Sequence, residues 1–287
     1  MAEGDPPYLR NGEERAILNP TDSIQEVEHA PTLLPGLNKR VALVTGGGSG
    51  IGRAAALAYA REGAEVVVAG RRATEIEETV RLIAMDGGEA YAVPADVSVA
   101  EEVRALVAAV VERYGRLEVA FNNAGVEGRF APITELTEAD FDHVLSVNLK
   151  GVCLSIKYEV EVMSARGNGG VIVNTASFLA RAAVAGSSAY SASKGALEAM
   201  IRALALECGP NGFRIDNVLP GAIDTPMFGR LGGDDVRAPL EAYTPLRRVG
   251  QPADEGDVAV WLSTDEARFV TGPGLLVDGG LAISGMR

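Results

Sequence analysis

Thr45-Gly46-Gly47-Gly48-Ser49-Gly50-Ile51-Gly52 joins a β-branched apolar run, Val41–Thr45, to a helical pattern that begins at residue 50. Glycines there let the chain turn sharply. They also let backbone N–H groups approach a pyrophosphate at the positive end of the helix that follows. The spacing G-x-x-x-G-x-G departs from the G-x-G-x-x-G fingerprint, but the strand–loop–helix context is the one that fingerprint requires. Gly46, Ser49, Gly50, Ile51 and Gly52 are therefore candidate dinucleotide-binding residues; a ligand-free glycine turn is the alternative.

Outward from the loop, short apolar runs alternate with longer helical patterns. Val41–Thr45, Glu65–Ala69, Ala90–Pro94, Leu117–Phe121, Val171–Thr175, Arg214–Leu219 and Leu275–Val277 read as strands. Helical periodicity covers about 50–62, 73–86, 99–114, 138–165, 188–209 and 252–264, and Gly63, Gly87, Gly115 and Gly209 stand where C-caps belong. Strands that are continuously apolar are covered on both faces. Repeated β–α units of this kind predict one α/β domain, a doubly wound parallel sheet of about seven strands with helices on both faces. Segment 222–250, with Gly229, Gly232, Gly233, Pro239 and Pro245, shows no clear periodicity and reads as a mobile excursion that could order over substrate as a lid.

The second strand ends in Ala69-Gly70-Arg71-Arg72. At this place in doubly wound dinucleotide folds an acidic residue holds a ribose 2′-hydroxyl, and an arginine accommodates a 2′-phosphate. Gly70 is not acidic, so Arg71 and Arg72 point to NADP, with NAD as the alternative. A charge-assisted contact of this kind contributes ~1.5–3 kcal/mol, enough for a clear preference.

The 287 residues carry 39 acidic and 26 basic side chains, a net charge of −13. Nucleic acid and an anionic membrane surface both need a basic face, so neither is expected as the main partner. Cys153 and Cys208 are too few for a disulfide scaffold and lack metal-ligand spacing, so no metal is expected. No apolar run approaches the ~20 residues needed to span a bilayer. Residues 1–38, with Glu3, Asp5, Glu13, Glu14, Asp22, Glu26 and Glu28 among five prolines, read as an acidic arm, disordered or draped over the surface. A cytoplasmic protein with one folded domain over 39–287 is the expectation.

Tyr190-Ser191-Ala192-Ser193-Lys194 opens a predicted helix, and a separation of four puts Tyr190 and Lys194 on one face. A phenol with a reference pKa of ~10 is a poor base at neutral pH, and a neighbouring ammonium is expected to lower it. Ser177 follows the strand Val171–Thr175 and so lies at the carboxyl edge of the sheet, where open α/β folds place ligands. Its hydroxyl could polarise a carbonyl oxygen while Tyr190 donates a proton. Asn148, mid-helix among apolar neighbours, suggests an amide in use.

Taken together in chain order, these residues resemble the short-chain dehydrogenase/reductase family over about Lys39–Asp278. The resemblance rests on Thr45-Gly46…Gly50-Ile51-Gly52, Asp96, Asn122-Asn123-Ala124-Gly125, Asn148, Ser177, Tyr190…Lys194 and Pro220-Gly221. It implies a Rossmann-type fold and reversible hydride transfer between a nicotinamide C4 and a carbonyl or secondary alcohol. Tyr190 would be the acid in reduction and the base in oxidation, and Lys194 would lower its pKa and hold the nicotinamide ribose. Ser177 would bind the substrate oxygen, and Asn148 would position a water in a proton relay. Asp96, with Val97 beside it, would meet the adenine; Asn123, Ala124 and Gly125 would line the adenosine ribose side. Pro220, Gly221, Ile223 and Thr225 would fix the nicotinamide. Ala176 stands where many relatives carry a second serine, and Ser49 where some NADP-using relatives are basic.

An NADPH-preferring ketone reductase is the reading; an NAD-dependent alcohol or dihydrodiol dehydrogenase is the alternative, and a silent dinucleotide sensor is disfavoured because all four catalytic candidates are present. The substrate wall would come from 126–131, 178–187 and 222–250. Phe130, Phe178, Leu179, Val184, Met227, Phe228 and Leu231 favour an apolar or alicyclic substrate; Arg129, Arg181, Arg230, Arg237, Arg247 and Arg248 could instead meet a carboxylate or thioester phosphate. The resemblance also implies a homotetramer, or a homodimer, built on the long helices, with Ala192, Ala196, Leu197, Ala199 and Met200 allowing close contact.

Overall fold

The computed structural model describes residues 36–283. Most of the acidic arm expected over 1–38 lies outside the described residues. Its end does not: Leu37 is buried in the core, and its carbonyl accepts from Arg40 N–H, so the folded chain starts before Lys39.

Seven strands form one sheet: β1 (Val41–Thr45), β2 (Glu65–Gly70), β3 (Ala90–Pro94), β4 (Val119–Asn122), β5 (Gly170–Thr175), β6 (Phe213–Pro220) and β7 (Gly274–Val277). Every pairing is parallel, in the order β3-β2-β1-β4-β5-β6-β7. The helices are α1 (Gly50–Arg61), α2 (Ala73–Met85), α3 (Ala100–Tyr114), α4 (Glu138–Leu145), α5 (Val152–Ser164), α6 (Ser188–Cys208), α7 (Pro226–Arg230), α8 (Asp234–Tyr243) and α9 (Pro252–Leu262).

Strand side chains alternate between two buried layers, as a pleated backbone requires. Ala42, Val44, Val66, Val68 and Phe121 pack with Tyr59 of α1, Ile76 of α2 and Val260 of α9. Val41, Leu43, Val67, Ala120 and Ile172 pack on the other face with Leu106 of α3, Ile156 of α5 and Leu197 of α6. The Tyr59 hydroxyl ties α1 to α9 through Ser263 Oγ at 2.7 Å. Strand order reverses between β1 and β4, which opens the crevice where such sheets bind ligands.

The structure departs from the sequence reading in three places. The pattern over 138–165 is not one helix: a wide π turn, Ser146–Gly151, separates α4 from α5, and such turns mark functional sites. Segment 222–250 is not without periodicity, for it holds α7 and α8. Val236, Pro239, Leu240 and Tyr243 follow helical i, i+3, i+4, i+7 spacing, hidden from a sequence reading by Pro239 inside the helix and by the glycines before it. On α6, Leu197 is buried against its own sheet and so offers no helix–helix contact; Met200 is half-buried on the same core, and Ala192 and Ala199 are exposed.

Candidate active site

The glycine loop is held from behind by side chains that take its carbonyls. Asn123 Nδ2 donates to Gly46 O at 3.4 Å, Thr79 Oγ1 to Gly47 O at 2.9 Å, and Arg53 Nη2 to Gly48 O. The first amides of α1 have no partner within their own helix, and Ser49, Gly50 and Ile51 line the adjoining cleft. Gly46 sits at φ +65°, and a Cβ on Gly52 would collide with the Gly46 carbonyl and come within 2.5 Å of Asn123 Nδ2. Gly52 therefore packs the loop and does not itself line the cleft. Arg53 and Thr79, which anchor the loop to α2, were not singled out by sequence reading, because each acts across a distance in the chain.

The cleft encloses about 1440 Å³. Gly46, Ser49, Gly50, Ile51, Arg71, Arg72, Asp96, Val97, Asn123, Ala124, Gly125, Pro220, Gly221, Ile223 and Thr225 all line it. Arg72 pairs with Glu75, and Arg71 Nη1 lies 3.8 Å from Asp96 Oδ2. Burial raises the Asp96 pKa, but bonds from the Ser98 hydroxyl and N–H, at 2.7 and 2.9 Å, outweigh it and keep the carboxyl below its usual range. Asn123 knits the centre together, accepting from Thr175 Oγ1 and taking Thr45 Oγ1 on its N–H. Thr225 caps α7 and stands against the loop, where a Cβ on Gly50 would meet its methyl at 3.1 Å. A cradle that excludes Cβ atoms beside exposed helix N–H groups, with two arginines at the end of β2, fits a nicotinamide dinucleotide.

Tyr190 and Lys194 sit on the first turns of α6, and Ser177 follows β5; all three line the cleft. Lys194 Nζ donates to Thr175 O at 2.7 Å and lies 5.8 Å from the Tyr190 ring centre. The Ser177 hydroxyl accepts Leu179 N–H at 3.1 Å, which leaves its own proton for another acceptor. Burial pushes the Tyr190 pKa up to about 12; the Ser177 hydroxyl opposes this and the Glu127 carboxylate adds to it. Burial pushes Lys194 down to about 8. The lowered phenol expected beside an ammonium is not found: desolvation of the phenolate dominates, and the Ser177 hydroxyl is the group that opposes it.

Asn148 does not reach the cleft. It is fully buried in the π turn, where Oδ1 accepts Val126 N–H at 2.8 Å and Nδ2 donates to Val126 O and Ser193 Oγ. Both amide protons are spent, so its side chain positions the loop after β4 and has no N–H left for a water.

All seven apolar candidates for the substrate wall line the cleft, joined by Val236, Pro239, Leu240 and Tyr243 of α8. Of the six arginines considered, Arg230 alone lines it. Arg129 pairs with Glu135, Arg181 with Glu198, Arg237 with Asp224 and Arg248 with Asp254, and Arg247 donates to Ala242 O. Among the described residues no three His, Cys, Asp or Glu side chains are grouped to hold a metal ion, and no helix is long and apolar enough to cross a membrane.

A parallel sheet with this strand order, a glycine loop at its switch point, and a serine and a Tyr–Lys pair at its carboxyl edge define a Rossmann-type oxidoreductase. The chain belongs to the short-chain dehydrogenase/reductase family: residues 46–282 match the family model described as enoyl-(acyl carrier protein) reductase. It is 38% identical over 242 residues to the cyclohexanol dehydrogenase of Acinetobacter sp. (strain SE19), covering 84% of this chain and 94% of that one. It is also 38% identical over 242 residues to the cis-4-hydroxycyclohexanecarboxylate dehydrogenase of Sinomonas cyclohexanicum, covering 84% and 96%. The crystal structure of levodione reductase superposes with a TM-score of 0.83 at 35% identity, over 86% of this chain and 99% of that one. The protein is accordingly a nicotinamide-dependent oxidoreductase acting on CH–OH or C=O groups.

Proposed function

We propose that the protein is an NADPH-preferring reductase of alicyclic ketones that also runs the reverse oxidation of the alcohols. The observation that carries this reading is the composition of the cleft wall: apolar side chains from three segments, with five of six candidate arginines absent from it. The relative named as a cyclohexanol dehydrogenase is in keeping with it. Arg71 and Arg72, with no acid at the end of β2, support NADP over NAD.

Bound nicotinamide supplies the hydride in reduction and accepts it in oxidation. The protein's own groups do the rest. Ser177 donates its hydroxyl proton to the substrate oxygen and fixes its position. Tyr190 gives its phenolic proton to that oxygen in reduction and takes it back in oxidation, a contribution of ~10²–10⁴-fold. Lys194, held by the Thr175 carbonyl, keeps a positive charge beside the phenol and would hold the ribose of a bound cofactor. Asn148 holds Val126 and with it the loop that carries Phe130, whose ring lies 6.0 Å from that of Tyr190. Positioning of the two reactants supplies much of the rate.

Exposed Phe269 and Leu206, with Ala192 and Ala199 on α6, favour a homotetramer or homodimer, and a cytoplasmic location is part of the same proposal. The function is tested by following NADPH and NADH consumption in parallel against cyclohexanones and against acyclic and thioester-bearing ketones. Turnover of cyclic ketones with NADPH at least tenfold better than with NADH is expected, and Tyr190→Phe loses turnover yet keeps its cofactor affinity. A clear NADH preference overturns the cofactor assignment, and preference for thioesters overturns the substrate class.

A further inference from the structure

Arg230 of α7 meets Glu127, which follows β4, across the cleft wall. The contact is bidentate: Nη2 donates to Oε2 at 3.1 Å and Nε to Oε1. Planar two-point pairing of this kind is the strongest geometry an arginine offers a carboxylate. Val126, Phe130, Met227 and Leu231 line the same cleft; the Glu127 side chain is 17% exposed and that of Arg230 56%.

We propose that the Glu127–Arg230 pair makes this enzyme select neutral rings and reject rings that carry a carboxylate, a deepening that rests on the alicyclic substrate class proposed above. With its Nε–Nη2 edge filled and its charge matched by Glu127, Arg230 offers a ligand carboxylate only its outer Nη1–Nη2 edge, beside a carboxylate already in place. Lys194, the other cation near Tyr190, is buried and bonded to the Thr175 carbonyl. A carboxylate entering this end of the cleft would give up hydration among the apolar lining without gaining an uncommitted cation in return. It would also face the charge of Asp235, which lines the same cleft. A neutral ring pays neither cost. Discrimination here comes from repulsion of the wrong ligand more than from attraction of the right one. Removing the Glu127 charge reverses the situation, because Arg230 then offers the cleft an unpaired guanidinium.

Calorimetry on the full chain saturated with its reduced cofactor, in which neither ligand reacts, gives the dissociation constants of cyclohexanecarboxylate and cyclohexanol. The readout is the ratio of the two affinities. In the wild type it favours cyclohexanol by more than tenfold. Glu127→Gln shifts it at least tenfold toward the carboxylate; adding Arg230→Gln cancels that shift, and Glu127→Asp keeps the wild-type preference. An unchanged ratio in Glu127→Gln, or a wild type that binds both equally, overturns the proposal. A wild type that binds neither ring sinks the alicyclic class, and the pair is then judged by whether Glu127→Gln gains carboxylate binding that the double variant lacks. If Glu127→Gln fails to fold, Arg230→Gln reads the pair from its other side, and the ratio must move further against the carboxylate.

Discussion

Burial acts on Tyr190 and Lys194 in the same sense, against the charged form of each. The phenol stands at about 12 and the ammonium at about 8, so at neutral pH the site holds a protonated tyrosine and a largely charged lysine. That is the form reduction needs. In reduction, kcat/KM should stay level through neutral pH and fall above about 8, as Lys194 loses its proton. Oxidation needs the phenolate, a small fraction at neutral pH, and should gain as pH rises over the same range. Profiles of opposite slope in the two directions check this; a reductive rate that climbs with pH would contradict it. Ser177 and Tyr190 were legible in the sequence because their chemistry is local to a strand end and a helix start. The direction of the tyrosine shift was not, since desolvation depends on everything packed around the ring.

At the scale of elements, the glycine loop works as a mould. Asn123, Thr79 and Arg53 fix its carbonyls from β4, α2 and α1, and Gly52 lets the first turn of α1 lie against Gly46. Gly52→Ala should therefore move the loop and leave the sheet intact. Dinucleotide affinity is expected to fall at least tenfold, read by cofactor fluorescence, while far-ultraviolet dichroism keeps its α/β signature; unaltered affinity would show that the loop tolerates the displacement. Helix α8 is the opposite case. None of its residues is buried, and its apolar stripe faces the cleft, so it owes its place to the ligand site more than to the core. Its proline and preceding glycines obscured it in the sequence, and only the line of Val236, Pro239, Leu240 and Tyr243 could have disclosed it.

Across the whole molecule, the sheet carries a polar row through its interior. Asn122, Asn174 and Asn217 are register partners on β4, β5 and β6, and Asn122 Nδ2 donates to Glu159 of α5 at 3.0 Å and to Asn174 at 3.1 Å. Burial pushes Glu159 up to about 8 from 4.5, and Asp216 to about 7; Glu255 rises too. A folded-state pKa above the unfolded value means the native state holds the proton more firmly. The stability this brings is complete below about 4.5 and is lost as pH climbs through 8. Wild-type Tm should fall from pH 5 to pH 9. Glu159→Gln, which keeps the shape and can donate to the unpartnered Asn122 Oδ1, should flatten part of that fall and raise Tm by several degrees at pH 9. Thermal melts across the range decide it, and parallel curves for the two proteins would count against a buried protonated Glu159.

Sequence alone determined what depends on local pattern. The β–α alternation, the loop 45–52, the Tyr190–Lys194 spacing and Ser177 after its strand follow from backbone periodicity and from residues close in the chain. The tertiary structure decided what depends on distant residues meeting. It spent five of six arginines on other partners and folded Asn148 into the support of Val126. It also brought Glu127 against Arg230 across 103 positions. Charge and hydrogen-bonding capacity belong to the residue, but whether they remain free for a ligand is set by the neighbours that packing supplies.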